Sequence, residues 1–555
     1  MNKKVCSFPI LFALLALLIG TCAVVFPASA QAAPTSTGSI TVSGTVASSY
    51  DAYQIFSANV VDGDSDAKIA TDLAWASDAA HDAVLPVLHS AGMPNSQTTA
   101  QEAAEWLNAD SHLTSALSAQ LARSLQSSGA VSVALNAGTT AELPCGYWLI
   151  VADDDAIAQG EAGTAPIMAL VGGSAVTVKP KAATPKVAKH VLEDSTAAWQ
   201  KAADATVADD LYWRLSATVP AGLTAYDTYT VRFVDTMSAG LDPSKVAASM
   251  RVYVAAGADG GFDAVQTGKD GRAGTDPAKG WTDITAQCAT KVAADGTFTV
   301  RTGDLIAALG GADAFTAGAR VVAVYNAPLN SACNHGIAKG NPNEVYLRYP
   351  RSPFADQSGD AGFTRTPSDD ACAYTWDLAL TKRGSDGDKP LAGAVLSIAD
   401  DRGRTLAADG TWDAEGKATV TTGEDGRVTV SGVDSGKLEV RELKAPKGYT
   451  AFEGTRSVTV KAEGLDVDQV AAAKPKLTIT AESPLRADSA DGSTGSLEAS
   501  LINTPTGTPP SITTGGFMPS TGDMAMYAAA AAAVAGAALI VVALLVKRGG
   551  GSHKE

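Results

Sequence analysis

Two sets of side chains in this sequence have the types and spacing to react with one another. In each, a lysine, a carboxylate and an asparagine stand where an alternating apolar row continues. Trp376, Leu378 and Leu380 lead to Lys382 on one face of a strand, Leu438 and Val440 lead to Glu442, and Leu497, Ala499 and Leu501 lead to Asn503. Upstream, Val187 and Val191 flank Lys189 on a common face. Tyr229, Val231 and Phe233 lead to Asp235, and Val345, Leu347 and Tyr349 share their face with Asn343. Asn341 and Lys186 are rival members of this second set. Burying such groups together is costly if all keep the states they hold in water. An apolar surround lowers the lysine pKa and raises that of the carboxyl, because desolvation penalises the charged forms. A neutral amine is a nucleophile, and a protonated carboxyl can hydrogen-bond an amide oxygen and polarise its carbon. Spacing alone shows that three suitable groups could meet in each set. The competing outcome is a buried ion pair that never reacts.

The elements that must position these groups are strands. Val, Thr, Ala and Gly dominate the composition and aromatics are only 6%, which suits many strands joined by turn-rich connections. The chain is expected to be mainly β, and its 555 residues allow two or three ordinary domains once the ends are removed. A first domain is placed at 31–178, a second at 179–372 and a third at 373–505. In the second, Leu211, Trp213, Leu215, Ala217 and Val219 face one way, while Tyr212, Arg214, Ser216 and Thr218 face the other. The first domain opens with alternation at Ile40, Val42 and Val46 and resumes strand character at Tyr147-Trp148-Leu149-Ile150-Val151. Between these a helical insert is expected from about Ala67 to Ser127. Thr99-Ala100-Gln101-Glu102 reads there as a capping box, and Ala103, Trp106 and Leu107 continue its apolar face. The first domain holds no lysine–carboxylate–asparagine set.

Charge and motif content narrow the function classes. A net charge of −17 disfavours nucleic acid, and no basic run with interleaved aromatics occurs. Six scattered histidines form no H-E-x-x-H, and there is no G-x-S-x-G elbow, so the chain is not expected to be an enzyme acting on outside substrates. Asp62-Gly63-Asp64-Ser65-Asp66 lacks the later Gly and Glu of a calcium loop and reads as a solvated acidic turn. No metal site and no cofactor are expected. Cys145, Cys288, Cys333 and Cys372 remain after the N-terminal apolar stretch, which holds Cys6 and Cys22. Four cysteines allow three full pairings that sequence cannot rank. Cys288 with Cys333 is preferred because both fall in the second domain.

The two ends indicate export and attachment. Asn2-Lys3-Lys4, the apolar run from Phe8 to Phe26 and Ala28-Ser29-Ala30 form a signal peptide over 1–30. A stiff Thr/Pro-rich spacer begins at 506 and, with Met518-Pro519-Ser520-Thr521-Gly522, fills 506–523. The apolar span 524–546 is long enough for roughly 34 Å of transmembrane helix, and Lys547-Arg548 opens a basic cytoplasmic tail over 547–555. The pentapeptide, span and tail resemble the LPXTG-type sorting signal of Gram-positive surface proteins, with Met518 where Leu is usual. In that family a sortase cysteine cuts between the residues matching Thr521 and Gly522.

Further motifs resemble those of sortase-assembled backbone pilins. Val176-Thr177-Val178-Lys179-Pro180-Lys181 is similar to the pilin motif VxVYPK, with Lys179 in the Tyr position, and the matching acceptor amine is that of Lys181. Leu438 to Tyr449, LEVRELKAPKGY, resembles the E-box YxLxETxAPxGY of Cna B-type domains. Glu442, Ala445, Pro446, Gly448 and Tyr449 match, and Leu438, Val440 and Leu443 are substitutions. Pro390-Leu391-Ala392-Gly393-Ala394 is similar to the segment after the reactive lysine in that family. The resemblance implies tandem immunoglobulin-like, Cna-type β-sandwich domains with intramolecular isopeptide bonds, Lys382 to Asn503 assisted by Glu442 and Lys189 to Asn343 assisted by Asp235, each joining the first strand of a domain to its last. It implies joining of Thr521 to Lys181 of a neighbouring copy. As partners it implies class C-type and housekeeping sortases, other copies of the chain, minor pilins, peptidoglycan and a host surface. It places the mature chain secreted and wall-anchored on the cell surface, after a transient stay of the precursor in the membrane. The alternative reading is a monomeric wall-anchored adhesin, which needs no pilin lysine.

Overall fold

A computed structural model describes residues 36–507, apart from 65–66, 110–111, 181–183, 222, 258–264, 268–272, 276–280, 312–313 and 315–317. Strands dominate it, arranged in three successive sandwich-like units. The expected signal peptide at 1–30 and the expected transmembrane span at 524–546 lie outside the described residues. Among those described, no helix is long and apolar enough to cross a membrane.

In the first unit the uninterrupted apolar run at Tyr147–Val151 has a simple cause: its strand is buried on both faces. Gly146–Ala152 lies inside a five-stranded sheet next to Ser49–Asp62. Tyr147, Leu149 and Val151 point to a core closed by the helices Asp78–Ser90, Ala100–Asn108 and Ser115–Ser127. Trp148, Ile150 and Ala152 point to a second core, closed by a three-stranded sheet in which Thr37–Val42 lies between Thr140–Pro144 and Val176–Val178. The capping box is formed as expected. Thr99 Oγ1 accepts from the Glu102 N–H, and Glu102 Oε2 accepts from the Thr99 N–H at 3.0 Å. The helical insert is shorter than expected, because Lys68–Trp75 is a strand paired antiparallel with Ser49–Asp62 across the acidic turn.

The second unit packs a six-stranded sheet on a seven-stranded one. The first contains Lys186–Glu193, Tyr212–Val219, Ala319–Asn326 and Arg251–Ala256 in neighbouring positions; the second contains Asp369–Tyr374, Asn341–Pro350, Arg232–Met237 and Thr297–Arg301. Their inner faces form one core with Trp213, Leu215, Phe233, Val321, Leu347 and Tyr349. Arg214 and Ser216, on the outward row, are buried as well. A second apolar cluster of Tyr253, Trp281, Val322 and Val324 covers that face, with Trp199 and Tyr212 packed on it.

The third unit repeats the layering. Trp376–Gly384 lies between Arg427–Val433 and Ser496–Pro505 in one sheet, and runs parallel to the latter. The facing sheet is centred on Val395–Ala399, Gly436–Lys444 and Thr455–Glu463. Asp369–Tyr374 belongs to the second unit's sheet throughout, so that sheet runs past the boundary placed at 372, and Thr375 alone separates it from Trp376–Gly384.

Candidate functional site

Each alternating row drives its polar member to the same depth as its apolar neighbours. Lys189, Asp235, Asn343 and Lys382 are fully buried, and Asn503 is 2% and Glu442 6% exposed.

In the second unit the set spans the two sheets. Lys189 enters from Lys186–Glu193, while Asp235 and Asn343 enter from adjacent antiparallel strands of the facing sheet, where Met237 lies opposite Asn343. Lys189 Nζ is hydrogen-bonded to Asp235 Oδ2 and donates to Tyr325 Oη at 2.9 Å. Tyr325 Oη donates to Asp235 Oδ2 at 3.2 Å and accepts from Asn343 Nδ2 at 2.8 Å. The Tyr325 hydroxyl therefore touches all three members. The indole of Trp213 and the ring of Tyr325 close over the amine, with centroids 5.6 and 5.5 Å from Nζ. Burial pulls Lys189 down to about 8, against the pull of the Asp235 charge, and pushes Asp235 up to about 6. The lysine backbone is fixed from behind: its N–H donates to Asp369 Oδ2 at 2.6 Å and its carbonyl accepts from Lys201 Nζ at 2.9 Å.

The rival residues sit elsewhere. Lys186 is exposed. Asn341 is buried on the same face as Asn343, but its amide is spent on a loop: Oδ1 accepts from the Asn334 N–H at 2.8 Å and Nδ2 donates to Asn334 O at 2.9 Å. One expectation is corrected. Asn343 is not on the last strand of its unit, because Phe363–Arg365 and Asp369–Tyr374 follow and both pair with Asn341–Pro350.

In the third unit the lysine and the asparagine share a sheet. Parallel pairing sets Lys382 opposite Leu501 and Gly384 opposite Asn503, so the two side chains point into the core one step apart. Glu442 reaches them from the facing sheet. Its Oε1 lies 3.4 Å from Lys382 Nζ and accepts from Asn503 Nδ2 at 2.9 Å, and its Oε2 accepts from the Phe452 N–H at 3.1 Å. Burial lowers Lys382 to about 8, opposed by the Glu442 charge. The PLAGA segment folds back on the lysine, with the Leu391 N–H donating to Lys382 O at 2.9 Å. Gly426 makes that approach possible: at φ +72°, a Cβ there would meet Lys382 O and Leu391 N at 2.8 Å.

Both asparagine oxygens, Oδ1 of Asn343 and of Asn503, are buried with no hydrogen-bond partner among the described residues. A half-turn of either amide would bring its oxygen to the polar group its nitrogen now faces. For Asn503 that group is Glu442, and a protonated Glu442 would donate to the oxygen and draw electrons from Cγ.

Lys181 and the run Met518, Pro519, Ser520, Thr521, Gly522 lie outside the described residues. The strand before Lys181, Val176–Val178, pairs in parallel with Thr37–Val42, and Lys179 is exposed. The preferred Cys288–Cys333 disulfide is absent: Cys145, Cys288, Cys333 and Cys372 are all free thiols. Cys288 Sγ donates to Ile284 O instead, at 3.3 Å, and Cys333 Sγ faces His335. Among the described residues no group of side chains is arranged to hold a metal ion.

Comparison with known proteins matches residues 377–474 to the prealbumin-like fold domain of SpaA. The trypsin-resistant surface T6 protein of Streptococcus pyogenes serotype M6 is 30% identical over 143 residues, which is 24% of this chain and 24% of that protein. The matched stretch thus spans about a quarter of that relative's length. Among solved structures, the T6 backbone pilin of serotype M6 S. pyogenes covers 85% of this chain and 98% of its own, at 17% identity and a TM-score of 0.46. The full-length major pilin SpaD of Corynebacterium diphtheriae covers the same shares at 15% identity and a TM-score of 0.41. Residues 377–474 are thus similar to the SpaA prealbumin-like fold domain.

Proposed function

We propose that this chain is the structural backbone subunit of a covalently polymerised pilus anchored to a Gram-positive cell wall. The observation that carries the reading is the pair of buried lysine–carboxylate–asparagine sets in successive sandwiches, one of which has its lysine and carboxylate within the stretch similar to the SpaA domain. The likeness to a streptococcal surface protein supports a place on the cell surface.

Within each set the neutral Nζ of Lys382 or Lys189 attacks Cγ of Asn503 or Asn343. The carboxyl of Glu442 or Asp235 hydrogen-bonds the amide oxygen as charge builds there, then carries an amine proton to the departing nitrogen. The Nζ–Cγ bond forms, the Cγ–Nδ2 bond breaks and ammonia leaves. The fold supplies the proximity that an enzyme would otherwise provide, and each set reacts once. The chain acts on no outside substrate.

Assembly uses the sorting signal and the lysine between the first and second domains. A class C-type sortase cuts between Thr521 and Gly522 and passes Thr521 to Lys181 of the next copy. Minor pilins join by the same chemistry, and a housekeeping sortase transfers the finished polymer to peptidoglycan. Two measurements test the reading. The intact mass of the reduced mature chain should fall about 34 Da below its sequence mass, one ammonia per bond. Wall digests should run as a ladder of multimers that Lys181→Ala abolishes, and a single monomer band from the unaltered chain would overturn polymerisation.

A further inference from the structure

Where the second and third units meet, a thiol, an imidazole and a carboxylate stand in line. Cys333 and His335 belong to the loop after Ala319–Asn326, and Asp377 to Trp376–Gly384 of the third unit. Cys333 Sγ lies 3.6 Å from His335 Nε2, and His335 Nδ1 lies 2.8 Å from Asp377 Oδ1. A carboxylate only accepts, so the Asp377 contact fixes the ring proton on Nδ1 and turns the Nε2 lone pair to the thiol. Asp377 is itself held, since its Oδ1 accepts from the Gly432 N–H at 3.1 Å. The loop is held too. Asn334 is clamped to Asn341 on both its backbone groups, and Gly336 packs so closely on Thr494 and Gly495 that a Cβ there would lie 2.5 Å from Thr494 C.

Cys333 and His335 line a cleft of about 810 Å³ walled by both units, among them Leu329 and Lys245 on one side and Trp412 and Arg404 on the other. Nucleophile, base and orienting carboxylate within contact, at the edge of a cleft, is the arrangement that activates a nucleophile. We propose that Cys333 is a modification site that exchanges with small-molecule disulfides by general-base catalysis from His335, oriented by Asp377. Burial and then the Asp377 charge push the Cys333 thiol up to about 11, so it rests protonated. A thiol of high pKa is intrinsically the stronger nucleophile once its proton is removed, which is the task of Nε2.

The small-molecule disulfide is itself the oxidant. The S–H proton passes to His335 Nε2 as Cys333 Sγ attacks one sulfur of a disulfide R–S–S–R. The S–S bond breaks, the departing thiolate takes the proton from the imidazolium, and the products are Cys333–S–S–R and R–SH. Cys333 is oxidised and one half of the small disulfide is reduced. Cys333 is 8% exposed where it lines the cleft, an access that suits a low-molecular-weight disulfide better than one carried on a protein.

The test treats the full chain, reduced and freed of reductant, with dithiobis-nitrobenzoate and with cystine, and follows each cysteine by peptide mass. Cys333 is expected to be labelled faster than Cys288, and His335→Gln to slow it by about a hundredfold, the scale of general-base catalysis. Asp377→Asn should slow it less while keeping the fold. Labelling of the buried Cys145 and Cys372 reports any opening of the structure. If His335→Gln exposes them, the Asp377→Asn rate decides. An unchanged Cys333 rate in a folded variant, or a Cys333 slower than Cys288 in the unaltered chain, would overturn the proposal.

Discussion

Glu442→Gln removes the acid from the third-domain set and keeps its shape. Glu442 Oε1 is the atom that touches both reactants, 3.4 Å from the lysine and 2.9 Å from the asparagine nitrogen. A glutamine there has no acidic proton to offer the Asn503 oxygen, so the bond should fail to form. The loop it would close, from Lys382 to Asn503, holds about 120 residues, for which chain entropy gives about 5 kcal/mol. In a domain of this size each kcal/mol moves Tm by about 4 °C, so the unlinked third domain should melt about 20 °C lower. Intact mass reads the chemistry and calorimetry reads the stability. The unaltered mature chain should lie about 34 Da below its sequence mass and the variant about 17 Da below, one ammonia per bond. A variant that still loses both ammonia molecules would show that Glu442 is not the acid. An unaltered chain that loses none would refute the reaction, and a lowered Tm with unchanged mass would reduce Glu442 to a packing role.

Other perturbations probe the same chemistry from different sides. Tyr325→Phe removes the hydroxyl that touches Lys189, Asp235 and Asn343, and should slow the middle bond by at least about tenfold. Mass spectra taken during folding should show the third-domain bond forming at its usual rate, and equal rates for both bonds would remove Tyr325 from the reaction. Asn503→Ala leaves Lys382 unlinked and buried, with a folded pKa of about 8 below the unfolded 10.5. Between those values the unfolded chain holds the proton that the folded chain lacks, so stability should rise with pH across that window, by up to about 3 kcal/mol. Urea melts at its two ends measure the slope, and a falling one would contradict a desolvated lysine.

Much of this was readable in the rows of alternating residues, because a polar side chain two positions past a run of buried neighbours has nowhere else to point. That logic placed Lys382, Glu442 and Asn503 at one depth, as well as Lys189, Asp235 and Asn343. It could not separate Asn341 from Asn343, which share a face. Only the backbone of the Asn334 loop, which occupies the Asn341 amide, distinguishes them. Tyr325 carries no such signal, because a tyrosine continuing Val321 and Ala323 reads as one more apolar residue, and its hydroxyl finds a role only when strands distant in sequence face each other. The strand Lys68–Trp75 falls inside the expected helical insert, although Asp62-Gly63 offers a turn before it. Cysteine partners depend on register between sheets, which spacing along the chain does not encode.

The single residue between the second and third units has a consequence for how the protein meets proteases. Thr375 is fully buried and its hydroxyl donates to Val433 O at 3.2 Å, while the strands on both sides of it are locked in their sheets. Trp376 Nε1 donates to Asp204 Oδ2 at 2.7 Å across the same seam, and Arg404 Nη2 donates to Asp209 at 2.7 Å. A protease must draw several residues of backbone into its own cleft, and cutting concentrates at exposed, loosely held segments. This junction offers none, so digestion would release the two units joined, as one fragment.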